Sequence, residues 1–255
     1  MINNLKLKIK NGEKALGTFL ELDSELAIEC LGYTGLDFFI IDQEHGPFDI
    51  GETVGFIRAA ETSEITPLVR VKDISRPSIL KNLDIGAKGL IVPNVETVEE
   101  VKKLIDWAKY SPTGKRGFFM ARSSGYGNKD YAHDMNNYFQ VSNRETMLIP
   151  QCETMGVLNN IEEIVALEGV DGIFIGPFDL SIAMSIPAQF SEPEFKNAIA
   201  RVLRACKEKN KFSFIFSTDQ RTAQNYIDSG FDAVAIGMDA SHYIKVFKDL
   251  VKSFK

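Results

Sequence analysis

The sequence predicts one closed (β/α)8 barrel, a TIM barrel of the α/β class. Eight short runs, apolar almost throughout, alternate with eight helix-like stretches. That is the pattern of a parallel sheet buried on both faces and wrapped by helices. The chain has 255 residues, close to the roughly 250 typical of such barrels. No linker-like composition divides the chain and no internal repeat is detectable, so residues 1–255 are expected to form one domain.

The strand candidates are 16–20, 37–41, 66–71, 89–92, 147–151, 172–175, 212–216 and 233–236, most of them bounded by Gly, Pro or Asp. Between them the helices are expected at 25–33 after Ser24 as N-cap, at 49–61, and at 75–83 with Pro77 in the first turn. The next, 97–110, opens with Thr97 and Glu100 in capping-box spacing. Helices at 160–168, 192–210, 219–229 and about 240–254 complete the set. One long irregular stretch, 111–144, carries GKRG at 114–117 and SSGYGN at 123–128 and is expected to be a lid, binding loop or contact surface.

Composition narrows the function. Lys and Arg number 29 against 35 Asp and Glu, a formal net charge of −6, which argues against nucleic acid as a partner. The first residues lack an apolar core and no run approaches a membrane span, so neither secretion nor a membrane is expected. Cys30, Cys152 and Cys206 are scattered, odd in number and without metal-type spacing, which fits a reduced cytoplasmic setting.

Barrel active sites lie where the strands end. Strand two runs into Asp42-Gln43-Glu44-His45, strand three ends at Arg70, strand five at Gln151-Cys152-Glu153, and strand six at Gly176-Pro177-Phe178-Asp179. Glu153 and Asp179 follow adjacent strands and suit a hard divalent cation that keeps open positions; a surface salt bridge and an N-cap are their ordinary alternatives. His45 is the histidine at a strand end, a structural donor or a proton carrier, with Asp42 and Glu44 near enough to orient its ring. Arg70 either pairs with a structural carboxylate or stabilises an oxyanion. The backbone around Gly176 and Pro177 either binds a ligand carboxylate or is a plain strand-to-helix turn. Lys115 and Arg116 are open between surface charge and an anion site. No GxSxG elbow, P-loop or GxGxxG after the first strand is present, and no lysine is placed for a Schiff base.

Several blocks in order resemble the HpcH/HpaI class II aldolases, metal-dependent pyruvate aldolases of the phosphoenolpyruvate/pyruvate barrel type. They are GTFLELDS near the start, DFFIIDQEHGPFD at 37–49, PLVRV at 67–71, LDIGAKGLIVPNVET at 83–97 and SPTGKRG at 111–117. LIPQCET at 148–154, EGVDGIFIGPFDLS at 168–181 and AVAIGMD at 233–239 follow. The resemblance implies that Glu153 and Asp179 hold Mg2+, Mn2+ or Co2+, and that Gln151 with the backbone from Gly176 and Pro177 to Phe178 and Asp179 binds the 2-oxo acid. It implies that Arg70 stabilises an enolate, that His45 is the acid/base, and that Asp42 supports the histidine or binds the aldehyde. Asp84 matches the acid that raises the basicity of that histidine. Asp84 precedes strand four and so should lie at the opposite end of the barrel from His45. A homo-oligomer, trimer or hexamer, with composite sites is therefore expected. Phe178, where a small residue is common, Ser185, where Gly is usual, and Cys152 depart from the family pattern.

The implied reaction is reversible cleavage of a 4-hydroxy-2-oxo acid, either a 2-oxo-3-deoxy sugar acid or a diacid, to pyruvate and an aldehyde. A CoA-ester lyase using the same enolate and a non-catalytic 2-oxo-acid-binding barrel are the alternatives. A phosphate-binding isomerase is disfavoured because Phe216-Ser217-Thr218 and Gly237-Met238-Asp239 offer no Gly-rich cradle.

Overall fold

The computed structural model describes residues 2–255. Eight strands close into a parallel barrel in sequence order: β1 (Ala15–Leu20), β2 (Phe38–Asp42), β3 (Thr66–Arg70), β4 (Gly89–Val92), β5 (Met147–Cys152), β6 (Gly172–Ile175), β7 (Phe212–Ser217) and β8 (Ala233–Met238). The helices are α1 (Asn4–Lys10), α2 (Glu25–Gly32), α3 (Ile50–Thr62), α4 (Arg76–Ile85), α5 (Val98–Ala108) and α6 (Met135–Glu145) in the first part. They continue with α7 (Met155–Asn159), α8 (Ile161–Ala166), α9 (Pro177–Ala183), α10 (Pro193–Glu208), α11 (Gln220–Ser229) and α12 (Asp239–Lys252). Among the described residues no helix is long and apolar enough to cross a membrane.

The eight predicted strands are all present, with ends moved by a residue or two. Most of the moves are extensions: β2 runs on to Asp42, β5 to Cys152, β7 to Ser217 and β8 to Met238. Asp42 and Ser217 can end β2 and β7 because the barrel mouth, unlike its middle, needs no apolar filling. The helical expectation needs correction in four places. The stretch 111–144 is not irregular throughout, since α6 begins at Met135, capped by Asp134 accepting from Asn137 N at 2.7 Å. Of its apolar residues only Tyr138 and Val141 are buried, with Phe139 stacked on Tyr110 beside them, too sparse a set to register as a periodic pattern. The helix expected at 160–168 is preceded by a separate turn of helix, α7. The turn after strand six forms a seven-residue helix, α9, and α1 had no counterpart in the expected set.

Side chains alternate across each strand, and the two sets build two cores. Phe19, Phe38, Ile40, Leu68, Ile91, Met147, Ile149, Phe174, Phe214 and Ala235 fill the barrel interior. Phe39, Ile41, Val69, Leu90, Leu148, Cys152, Ile173, Ile215 and Val234 face the helices. Close packing at the centre depends on Gly17, where a Cβ would lie 2.5 Å from the Phe38 ring. Helix α1 plugs the N-terminal end, placing Leu5 and Ile9 in the interior core. Lys6 on α1 and Lys109 clasp the two oxygens of Asp171 at 2.5 and 2.7 Å. With that end sealed, the opposite mouth is left for chemistry.

Candidate active site

Interior parity carries the functional side chains to the mouth. Position 42 continues 38 and 40, position 70 continues 66 and 68, and positions 151 and 153 continue 147 and 149. Asp42 and Arg70 are register partners on neighbouring strands. The guanidinium donates from Nε to Asp42 Oδ1 at 2.8 Å and from Nη2 to Oδ2 at 2.5 Å. Its Nη1 lies 3.2 Å from Glu44 Oε2, and its Cζ sits 5.0 Å over the Phe19 ring. A planar fork held on both edges and stacked on one face has a single orientation.

A cavity of about 200 Å3 opens here, lined by Phe19, Glu21, Asp42, His45, Arg70, Gln151, Phe174, Gly176, Pro177, Phe178, Asp179, Phe216 and Met238. Eight of these were expected from the sequence: His45, Arg70, Asp42, Gln151, Gly176, Pro177, Phe178 and Asp179. Glu153 stands at its wall, Oε2 accepting from Gln151 Nε2 and Oε1 accepting from the Asn94 amide at 2.7 Å. Burial pushes the Glu153 carboxyl up to about 7, against the Asn94 hydrogen bond, and the Glu44 and Asp179 charges add to the rise. Gly176 is required for this arrangement, because a Cβ there would meet Gln151 Nε2 at 2.7 Å and Glu153 Oε2 at 3.1 Å.

His45 is exposed at the rim, and its ring makes no hydrogen bond among the described residues. Neither Asp42 nor Glu44 orients it, contrary to the sequence-based alternatives. Asp42 instead accepts the backbone N–H of Glu44 at 3.1 Å and of His45 at 3.4 Å, so it shapes the loop rather than the imidazole. Glu44 is taken by Arg70 and by Asn94 Nδ2 at 2.7 Å. The loop is anchored beneath by Gln43, whose amide exchanges hydrogen bonds with Asn82 at 3.1 and 2.8 Å.

Asp84 is not part of this cluster. It lies near the C-terminal end of α4, before β4, and accepts from Arg116 Nη2 at 2.7 Å. Arg116 is buried and stacked 4.6 Å over Tyr110, which makes it a structural anchor, whereas Lys115 pairs with Asp106 at the surface. Cys152 faces the helix layer, away from the cavity, and burial pushes its thiol up. Ser185 has φ 61, a left-handed conformation that favours glycine, and it lies outside the cavity.

Glu21 and Asn94 escaped the sequence reading. Glu21 continues the parity of Gly17 and Phe19 one step beyond β1. Burial, then the charges of Asp42 and Asp239, hold its carboxyl above the ordinary range. Asn94 takes φ 55, a conformation asparagine tolerates better than most residues, and so aims its amide at Glu153. A Pro-Asn pair directly after a barrel strand was the available signal.

The donor set fits a hard divalent cation. Glu153 and Asp179 offer two carboxylates near enough for their charges to interact, although no group of three or more His, Cys, Asp or Glu that could hold a metal ion is present among the described residues. Such a site leaves positions for waters and ligand oxygens. Gln151 Oε1 is buried without a hydrogen-bond partner among the described residues, while its Nε2 is held by the Glu153 carboxylate. Added positive charge relieves both features.

A model of the HpcH/HpaI aldolase/citrate lyase family matches residues 15–246. The chain is 31% identical over 256 residues to the hydroxypyruvate/pyruvate aldolase of Roseobacter denitrificans, covering 100% of this chain and 98% of that one. It is 32% identical to the 5-keto-4-deoxy-D-glucarate aldolase of an Enterobacter species, covering 99% and 97%. The crystal structure of an HpcH/HpaI aldolase from Desulfitobacterium hafniense superposes with a TM-score of 0.91 at 26% identity, over 100% of this chain and 97% of that one.

Proposed function

The chain belongs to the HpcH/HpaI aldolase/citrate lyase family, and from that premise we propose that it is a divalent-metal-dependent class II aldolase. It would reversibly cleave a 4-hydroxy-2-oxo acid to pyruvate and an aldehyde in a reduced, cytoplasmic setting. The observation that carries the reading is the single cavity where His45, Arg70, Gln151 and Asp179 meet beside Glu153. Glu153 and Asp179 would hold Mg2+, Mn2+ or Co2+, which when bound supplies Lewis-acid stabilisation of negative charge at the 2-oxo oxygen.

The chain's own groups do the rest. Gln151 and the first-turn N–H groups of Phe178 and Asp179, which lack intrahelical acceptors, orient the 2-oxo acid. His45, whose ring has no hydrogen-bond partner among the described residues, takes the proton of the 4-hydroxyl directly or through a water. The C3–C4 bond then breaks, its electron pair passes to the pyruvate fragment as an enolate, and the aldehyde leaves. Arg70, fixed by Asp42 and Glu44, stabilises the developing negative charge without reorganising. Protonation at C3 completes pyruvate.

Asp84 enters this scheme from a second copy. It sits at the far end of the barrel from His45, beyond hydrogen-bond reach within one chain. Association is supported by α12, whose Tyr243, Ile244, Val246, Phe247, Leu250 and Val251 are all at least half exposed. A trimer or hexamer with composite sites follows. The test is an aldol assay pairing pyruvate with a panel of aldehydes. Activity should vanish in EDTA and return with Mn2+; activity indifferent to EDTA overturns the reading.

A further inference from the structure

The cavity discriminates between its two ends. Strand order around the closed barrel places β1 opposite β5, so Glu21, just after β1, faces the Gln151–Glu153 wall across the mouth. A ligand anchored by its 2-oxo acid end at β5 and β6 extends its far end toward Glu21. The Glu21 backbone is fixed: its N–H donates to Asp239 Oδ1 at 2.8 Å, and the next N–H, of Leu22, to Asp239 Oδ2 at 3.1 Å. Its carboxylate has no hydrogen-bond or ion-pair partner among the described residues and lines the cavity.

Among the described residues no lysine lines the cavity, and the one arginine that does, Arg70, has Nε and Nη2 on Asp42 and Nη1 on Glu44. Phe19, Phe174, Phe216 and Met238 supply apolar wall. A hydroxyl at the far end finds a free carboxylate to donate to. A second carboxylate there finds a like charge, and the one guanidinium lining the cavity is already paired with two carboxylates and placed toward the enolate. We propose that Glu21 selects the aldehyde half of the substrate, accepting hydrogen bonds from an uncharged hydroxyaldehyde and rejecting aldehydes that bear a carboxylate. The physiological substrate class is then a polyhydroxylated 4-hydroxy-2-oxo monoacid, not a diacid. This assignment rests on the aldolase reading.

The experiment measures kcat/KM for D-glyceraldehyde and for succinic semialdehyde, each with pyruvate and Mn2+, in the unmodified enzyme and in Glu21→Gln. The unmodified enzyme should prefer glyceraldehyde by about tenfold or more, and Glu21→Gln should shrink that preference by roughly tenfold. The ratio within one preparation cancels any loss of folded protein. Equal or better use of succinic semialdehyde by the unmodified enzyme, or an unchanged ratio in Glu21→Gln, overturns the proposal. An unmodified enzyme that forms no aldol product and exchanges no pyruvate methyl hydrogen with solvent overturns the aldolase reading, and the assignment with it.

Discussion

Arg70 is held by Asp42 and Glu44 while facing the cavity, and under the proposed function that arrangement gives an otherwise acidic mouth a fixed cation for an anionic acid. Two carboxylates fix the guanidinium from behind, and the Nη hydrogens they leave unused are free for developing charge. The same crowding makes Gly176 intolerant of a side chain. Gly176→Ala places a methyl 2.7 Å from Gln151 Nε2, so Gln151 and Glu153 must shift. Mn2+ affinity should fall about 10- to 100-fold, read by calorimetric titration, with the fold kept by circular dichroism. Much of this site was legible in the sequence, because Asp42, Arg70 and Gln151 lie on the interior parity of apolar strands. The imidazole's freedom from Asp42 was not legible: which oxygen of Asp42 meets which N–H depends on the register of β2 with β3. Glu21 was missed because it lies one residue past β1, whose end at Leu20 was read correctly but whose parity was not carried on to the rim.

At the scale of elements, α1 is the piece that turns an open barrel into a one-mouthed vessel. Its Lys6 and the buried Lys109 share Asp171, which also accepts the Leu148 N–H at 2.9 Å. Burial alone would raise the Asp171 carboxyl, but the two ammonium groups outweigh it and hold it below its ordinary 3.8. A carboxyl depressed in the folded state contributes stability that is full above the unfolded-state value and lost as pH falls through the folded one. Asp171→Asn should therefore cost about 3–5 kcal/mol near neutrality, by stranding two buried cations. The gap to the unmodified protein, measured by urea unfolding, should narrow below about pH 4. The strands were legible because each is short and apolar along most of its length. Helix α6 was not, because Asn136, Asn137, Gln140 and Asn143 dilute its few buried apolar residues, and α1 was not, because its seven residues are too short for a period to show.

The whole molecule presents two unfinished surfaces, the exposed apolar flank of α12 and Asp84 at the end of the barrel away from His45. Both are completed if copies associate. Mixing His45→Ala chains with Asp84→Ala chains under exchange conditions should restore activity that neither has alone, since some composite sites regain both groups. Recovery no greater than the sum of the parents would exclude shared sites. The barrel itself was foreseeable from length and alternation, and association was expected from Asp84 preceding strand four; the apolar flank of α12 was not foreseen, because apolar residues on a terminal helix look alike whether they face a core or a partner. The most direct test of the central claim is deuterium exchange into the methyl group of pyruvate, followed by NMR on metal-stripped protein before and after Mn2+ is added. The account predicts no exchange when stripped, full return with Mn2+, and no return in Glu153→Gln. Exchange that persists without metal, with borohydride trapping pyruvate on a lysine, would contradict it.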